Sequence, residues 1–560
     1  MLGFYQPHMI MPYLFVFLFT LTGVIFLSIN QYKRRRSRQL HMIRQQWGMM
    51  KDEYFNFNRI GSYLALNIGD DFHLLSSQTK ADIDFDDVFR FIDRTSTPVG
   101  QQFLYDLMSK PGNDAARLRL LEEQVSFFAG NTATREEVQL LMTTLQSNDA
   151  AYISSLLEDN LPSRPAWYNL VVASLASVVL LLVLSPRYPF LLIWLLLPLF
   201  FNVFLHYWNK NNTARFIRSI PQLHLLMELT RKLCARELPF NNDEALQSLR
   251  RMKTFRRKSL FINFGYSGSQ DDISRLFAYL FEYVKAFLLV EFFAFYSLAD
   301  ELRKRRQDIM VIFRFIGNMD ACISIASLRA GVAETCVPVS LPVSRVLEAT
   351  KLCHPLIPDC AANDINVNGK SVLITGSNMS GKTTFLRTVA LNIVLAQTIH
   401  TCFATSFHAP FFRLFSSIRI DDSLQDGRSY YFQEVEVMHA LIREVVPAPQ
   451  SFFILDEVFK GTNTVERIAA ASAILSYLNR YNNLVFVSTH DIELSAMLSD
   501  DYELYHFSET IIGDQLHFDH KLKHGQLTTR NAIKLLEIAG YPREIIDEAT
   551  EISSKLRIQL

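Results

Sequence analysis

One stretch of this chain leaves little freedom for the fold around it. Ser371-Val372-Leu373-Ile374-Thr375 is a short apolar run that predicts a buried strand. It leads directly into Gly376-Ser377-Asn378-Met379-Ser380-Gly381-Lys382-Thr383, a complete G-x-x-x-x-G-K-[ST] pattern, and residues 384–397 then have helical character. Strand, glycine-bearing loop and helix in that order predict an α/β nucleotide-binding unit. The two glycines let the backbone turn tightly, so that successive amides converge on a phosphate at a helix N-terminus. Lys382 is then placed to reach β- and γ-phosphates and the Thr383 hydroxyl to ligate Mg²⁺, with Thr384 closing the ATP-binding stretch.

A second strand signal, Phe452-Phe453-Ile454-Leu455, ends in Asp456-Glu457. A carboxylate at the end of a core strand beside such a loop suits Asp456 as the Mg²⁺ partner, and Glu457 as the base that polarises an attacking water. Residues 484–487 predict a third strand, ending in Ser488-Thr489-His490, where His490 is placed to sense a γ-phosphate. ATP and Mg²⁺ are thus the expected ligands, with Lys382, Glu457 and His490 as the catalytic candidates.

At 560 residues the chain is well beyond the roughly 150 of one domain. Its formal net charge of +0 gives no whole-chain attraction to nucleic acid, so any such patch is local. The six cysteines form no C-x-x-C pair and predict scattered reduced thiols. Apolar residues reach 49% and mean hydropathy is +0.10, values that suit a mixture of globular and membrane-embedded segments. Residues 9–29 carry no charge, about the length of a spanning helix, and Lys33, Arg34, Arg35, Arg36 and Arg38 follow at once. The positive charge lies behind the apolar run rather than in front of it, unlike a cleavable signal. Two further runs, 167–184 and 189–208, are separated by Ser185-Pro186-Arg187-Tyr188 and read as a transmembrane hairpin with Trp167, Tyr168, Tyr207 and Trp208 at the interfaces. Lys210, Arg215 and Arg218 come next, so all three spans orient with the N-terminus outside and the bulk of the chain in the cytoplasm. The expectation is a multi-pass protein of a bacterial inner membrane. A fourth apolar stretch, 276–298, is interrupted by Glu282, Lys285 and Glu291 and predicts a buried helix of the soluble part.

Beyond the generic loop, Ser377-Asn378-Met379-Ser380 continuing through Lys382-Thr383-Thr384-Phe385-Leu386-Arg387 resembles the T-G-P-N-M-[AS]-G-K-S-T-x-L-R stretch of the MutS family of DNA mismatch repair proteins. His354-Pro355 and Asn363-Asp364-Ile365 are similar to the family's approach to that strand. Asp421-Asp422 and Ser429-Tyr430-Tyr431-Phe432-Gln433-Glu434 resemble its D-D…S-x-F-x-x-E segment, and Gly461-Thr462-Asn463-Thr464 and Thr489-His490 its G-T-[ST]-T and T-H motifs. Ile92-Asp93-Arg94-Thr95-Ser96-Thr97-Pro98-Val99-Gly100 resembles the opening of its helical core. Asn531-Ala532-Ile533-Lys534, Gly540-Tyr541-Pro542 and Ile545-Ile546 resemble its closing helix–turn–helix. The likeness is strong over 347–556, moderate over 83–107 and 317–328, and weak elsewhere.

This resemblance implies an ABC-like P-loop ATPase domain preceded by an all-α helical core and lever domain. It also implies a homodimer in which Ser429, as a trans signature residue, completes the partner's ATP site, and a double-stranded DNA ligand. On that pattern the chain divides into an N-terminal anchor (1–32), a first helical part (33–164), the membrane hairpin (165–208), a second helical part (209–338), the ATPase domain (339–520) and a dimerisation segment (521–560).

The departures bear on function. Phe459-Lys460 stands where the family usually has Gly-Arg, and Val465-Glu466-Arg467 replaces an acidic-Gly pair. The mismatch-reading module has no counterpart, since it needs on the order of 100 residues and only 31–92 is open to it. The basic stretch Arg250, Arg251, Lys253, Arg256, Arg257 and Lys258 suits nucleic-acid phosphates, anionic lipid head groups, or a solvated helix face. Two readings follow: a MutS-like ATPase that clamps DNA near the membrane without reading mismatches, or an ATP-driven switch acting on membrane-associated protein partners. A transporter subunit is more remote, because three spans make a thin permeation path.

Overall fold

The computed structural model describes residues 10–67, 69, 71–157, 164–257, 287–377, 379–419, 430–459, 463–512, 515–527, 533, 536–537 and 539–559. The chain forms two compact units. The first comprises Met1–Leu66, Asp93–Leu104 and Glu123–Gly331, the second Asn67–Ile92, Tyr105–Glu122 and Val332–Leu560. The segment 33–164, expected as one helical stretch, is therefore shared between them.

Among its described residues, the regular secondary structure of the first unit is all helical. At its centre lies helix Arg306–Gly331, which buries Ile309, Ile312, Phe313, Ile316, Met319, Ile323 and Leu328 on several faces at once. Close approach is made possible at Gly317, where a Cβ would lie 2.5 Å from that of Phe103. One turn later the fully buried Asp320 accepts hydrogen bonds from the backbone N–H of Ser96 (2.8 Å) and Thr97 (2.8 Å) and from the Thr97 hydroxyl (2.7 Å). A carboxylate from a distant helix thus satisfies the orphan amides that open helix Pro98–Ser109. Beside it, the Lys51 amine donates to Asp93 (2.9 Å) and Thr95 (3.1 Å). Here the Asp93–Gly100 motif serves as a polar clamp holding two helices together.

The expected count of three spanning helices is not met among the described residues. Among the described residues one helix has the length and apolar composition to cross a bilayer, Arg306–Gly331, and 72% of its apolar window is buried, which makes it the core helix. The hairpin arms appear as the shorter apolar helices Tyr168–Leu184 and Leu191–His206. The first arm has 17 residues, short of about 20, and the second passes a one-residue turn at Leu195 into the longer helix Leu196–Cys234. The first run is the beginning of one continuous helix, Ile10–Gln46, that carries on through the basic cluster; the side chains of its residues 10–18, 20, 21, 24 and 25 lie outside the described residues. The two arms are joined by a Ser174 hydroxyl donating to Asn202 (2.7 Å) and by Trp167 against Trp208, with ring centroids 5.3 Å apart. Leu180, Val183, Ile193, Trp194, Leu197, Phe200 and Phe204 are all exposed on them. Of the predicted stretch 276–298, the part before residue 287 lies outside the described residues, and the rest enters helix Val290–Lys304.

The second unit holds strands β1 (Val339–Ser340), β2 (Val346–Leu352), β3 (Asn363–Asn368), β4 (Ser371–Thr375), β5 (Ser406–Ala409), β6 (Arg413–Ser417), β7 (Ser451–Asp456), β8 (Leu484–Thr489), β9 (Tyr502–His506), β10 (Glu509–Ile512), β11 (Gln515–Phe518) and β12 (Lys523–His524). The described strands form a six-stranded sheet in the order β12-β9-β4-β8-β7-β6, a four-stranded sheet β1-β5-β2-β3, and the hairpin β10-β11. From β9 to β6 the large sheet is parallel, and β12 joins antiparallel at the edge. Its central strands are buried along nearly their whole length, as expected for a parallel sheet covered on both faces. Registry pairs Thr375 with Thr489 and Asp456 with Ser488, so β4, β8 and β7 end together at one carboxyl edge. That edge is where ligands of open α/β sheets bind.

Candidate functional site

The loop between β4 and helix Lys382–Thr398 wraps that carboxyl edge. Gly376 has φ +152°, and a Cβ there would come within 2.8 Å of the Phe507 carbonyl oxygen, so only glycine fits. Gly381, at φ +114°, starts the helix. Lys382 is buried; its amine donates to the carbonyls of Gly376 (2.8 Å) and Ser377 (2.9 Å) and lies 3.4 Å from His490 Nε2. The Ser377 hydroxyl donates to Glu509 (2.8 Å), the Ser380 hydroxyl to the Ser377 carbonyl (2.8 Å), and Met379 is 82% exposed. Thr384 lines the adjoining cavity, and Asn378 lies outside the described residues.

Thr383 and Asp456 meet across the strand ends: the Thr383 hydroxyl donates to the Asp456 carboxylate at 2.7 Å, and the Ser488 hydroxyl donates to its other oxygen. A hydroxyl and a carboxylate facing each other at the mouth of a phosphate loop are the hard oxygen donors that Mg²⁺ takes. Glu457 follows at φ +57°, with its backbone N–H donating to the Ser488 carbonyl (3.0 Å) and its carboxylate 2.7 Å from His490 Nε2. Lys382, Thr383, Asp456, Glu457 and His490, spread over 108 residues of sequence, thus converge on one edge.

Two cavities flank this group. One of about 480 Å³ runs along the loop; apolar Leu352, Ile357, Phe385 and Phe507 line it together with polar Ser377, Lys382, Thr383 and His520. Its size and mixed lining suit a ligand with a flat base and a charged tail. The other, about 240 Å³, is lined by Glu457, Val458, Arg467, Thr489, His490 and Asp491. There Arg467 forks onto Asp491 (2.7 and 3.0 Å); that hydrogen bonding, added to by the charge of Glu457, keeps the guanidinium above its ordinary value. His520 and Asp491 were not singled out from the sequence, and Arg467 was noted there only as part of the Val465-Glu466-Arg467 departure. Ser488 entered there only as the neighbour of Thr489-His490.

The departure at Phe459 has a physical reading. Its φ of +62° is a conformation that favours glycine, while its ring is 4% exposed and lies 5.7 Å from that of Tyr431. A strained backbone costs about 1–3 kcal/mol and burying a phenylalanine returns about 1.5–3 kcal/mol, so the two nearly offset.

Other predicted residues lie apart from this edge or outside the described residues. Ser429, Lys460, Gly461, Thr462, Asn531 and Lys258 fall outside the described residues. Arg250, Arg251, Lys253, Arg256 and Arg257 are exposed in the helical unit, on and just after helix Asp243–Arg251; Arg251 pairs with Asp308 (2.7 Å) and Arg256 with Glu228 (3.5 Å). At the C-terminus, helix Arg543–Gln559 follows a turn at Gly540 and exposes Ile545 and Ile552, seven residues apart on one face.

Comparison with known proteins gives the same region. Residues 372–557 match the family model MutS domain V. The chain is similar to the DNA mismatch repair protein MutS of Natronomonas pharaonis, 27% identical over 278 residues, which is 48% of this chain and 32% of that protein. It is similar to the same-named protein of Chloroflexus aurantiacus, 29% over 279 residues (47% and 28%), and of Thermus thermophilus, 27% over 269 residues (47% and 32%). The chain thus spans about a third of the length of these relatives.

Proposed function

Over its C-terminal half this chain belongs to the MutS family, and on that premise we propose that it is a Mg²⁺-dependent ATPase, anchored in a membrane and working as a dimer. The observation that carries this reading is the convergence of Lys382, Thr383, Asp456, Glu457 and His490 at the carboxyl ends of β4, β7 and β8. The Lys382 amine exchanges its loop carbonyls for the β- and γ-phosphates. Thr383 and Asp456 would hold Mg²⁺, which would supply charge neutralisation at the phosphates. Glu457 orients the attacking water and draws its proton, and His490 holds that carboxylate in place. Lys382→Ala in the purified full chain is expected to abolish tight MgATP binding. Binding at the parent affinity would overturn the reading.

Dimerisation draws on the resemblance of the Ser429 segment and on the apolar face of helix Arg543–Gln559. ATP would tighten the pair through hydrogen bonds made only while a γ-phosphate is present, and hydrolysis would loosen it. Membrane anchoring, in a bacterial inner membrane with the bulk of the chain cytoplasmic, is supported by the large apolar side chains left exposed along the hairpin arms. The mismatch-repair names of the relatives favour double-stranded DNA as the ligand, bound without mismatch reading. The hairpin favours the second reading, an ATP-driven switch on membrane-associated proteins. Salt-dependent binding of duplex DNA by the full chain supports the first; no binding at low salt supports the second.

A further inference from the structure

Four of the six cysteines, scattered in sequence, come together as two pairs in space. Cys353 directly follows β2, and Cys360 stands three residues before β3, its antiparallel partner. The registry Leu352 to Asn363 brings the two cysteines to the neck of the connecting turn. There the Cys360 sulfur accepts from the His354 backbone N–H at 3.3 Å, and the Cys353 thiol donates to the Cys360 carbonyl at 3.6 Å. Cys353 is anchored from behind, its N–H donating to the Phe403 carbonyl at 3.0 Å. The same turn supplies Ile357, Pro358, Asp359, Cys360 and Ala361 to the wall of the 480 Å³ cavity beside Lys382 and Thr383.

We propose that Cys353 and Cys360 form a reversible disulfide that regulates nucleotide binding by reshaping this wall. The effect on nucleotide rests on the ATP-site reading above; the disulfide itself does not. The oxidant class is a low-molecular-weight disulfide such as oxidised glutathione. Cys360, which lines the cavity, attacks one sulfur as its thiolate, forms a mixed disulfide and expels one glutathione thiolate. Cys353 then attacks the Cys360 sulfur and expels the second. Two protein thiols are oxidised, one small disulfide is reduced to two thiols, and the two protons leave with them. Burial and the neighbouring thiol push Cys353 up to about 12, so the second step quickens as pH rises. Closing the bond brings the sulfurs to about 2.05 Å, draws the neck of the turn together and removes the thiol contacts that set the wall. Cytosolic disulfides of this kind are transient and redox-sensing.

A second facing pair offers a contrast. Cys336 and Cys402 exchange both backbone hydrogen bonds (2.9 Å each), but the Cys402 thiol is buried and turned to the Asn392 carbonyl at 3.4 Å.

The test incubates the full chain with oxidised glutathione, caps free thiols, maps disulfide peptides by mass spectrometry and measures MgATP affinity before and after. The expected result is a 353–360 link, reversed by dithiothreitol, with MgATP binding roughly tenfold weaker, the order produced by an ångström-scale displacement of a positioning wall. Cys353→Ser must block the link and leave glutathione on Cys360. Retention of the mixed disulfide in the parent chain, a 336–402 link in its place, or a 353–360 link with unchanged affinity would overturn the proposal. Failure of the reduced parent to bind MgATP would sink the ATP-site reading instead, with the peptide map still deciding whether the pair closes.

Discussion

The two units of this chain solve the same problem, holding charged groups away from water, in opposite ways. In the nucleotide unit the charged residues sit at the ends of parallel strands, and loop backbone presents them to cavities. In the helical unit Asp320 is sealed inside, and its role is to cap a helix more than 200 residues earlier in sequence. One arrangement keeps charge available to a ligand, the other spends it on holding helices together. Polar clamps and reactive sites therefore need different tests, the first by stability and the second by turnover.

The largest separation should come from Asp320→Ala. It strands the Ser96 and Thr97 amides and the Thr97 hydroxyl, and is expected to cost the helical unit about 4 kcal/mol. Denaturation followed by hydrogen exchange would show the loss in residues 93–104 and 306–331. An equal loss across β4, β7 and β8 would mean the units do not unfold separately.

Acidification should split them next, with opposite signs. Burial pushes the His73 imidazole, in the nucleotide unit, down to about 4, the Leu414 carbonyl offsetting this only in part. Below the ordinary value of 6.5 the unfolded chain takes up a proton that the folded unit refuses. That contribution is therefore full above pH 6.5 and is lost toward pH 4, by about 3 kcal/mol. Burial raises Asp320 in the helical unit from 3.8 to about 6, so the folded form binds its proton first and this term gains stability as pH falls from 6 to 3.8. Exchange protection measured at pH 7 and pH 4.5, corrected for intrinsic rates, should fall at residues 71–75 relative to residues 316–324. Parallel changes would contradict both assignments.

The smallest effect expected is at Phe459. Phe459→Gly releases the positive-φ strain but gives up the buried ring, for a net loss of about 1 kcal/mol in chemical denaturation. A gain in stability would mean that the ring contributes less than its strain.

What the sequence revealed follows the same division. The nucleotide edge was legible because its chemistry is written locally: a buried strand, a glycine loop and a helix start in one stretch, and a carboxylate pair closing another strand. Strand limits predicted at 371–375, 452–455 and 484–487 correspond to β4, β7 and β8 within two residues at each end. The clamp was not legible. Lys51, Asp93 and Asp320 are far apart in sequence, and each alone resembles a surface charge. Nor was the thiol pair, because spacing rules look for C-x-x-C and not for two cysteines at the neck of a turn. Apolar length alone does not identify a span: Arg306–Gly331 has the composition of a spanning helix, but burial in the core explains it. The Arg467–Asp491 fork also escaped notice, since only the fold puts residues 24 apart on one cavity wall.

The central claim, that Glu457 activates water at a nucleotide site assembled on the strand ends, is tested most directly by Glu457→Gln. The substitution keeps the side chain's shape and removes only its ability to take a proton. MgATP affinity and turnover are measured together on the full chain. The account predicts binding close to the parent and turnover lower by about two orders of magnitude or more. Hydrolysis at the parent rate would contradict it.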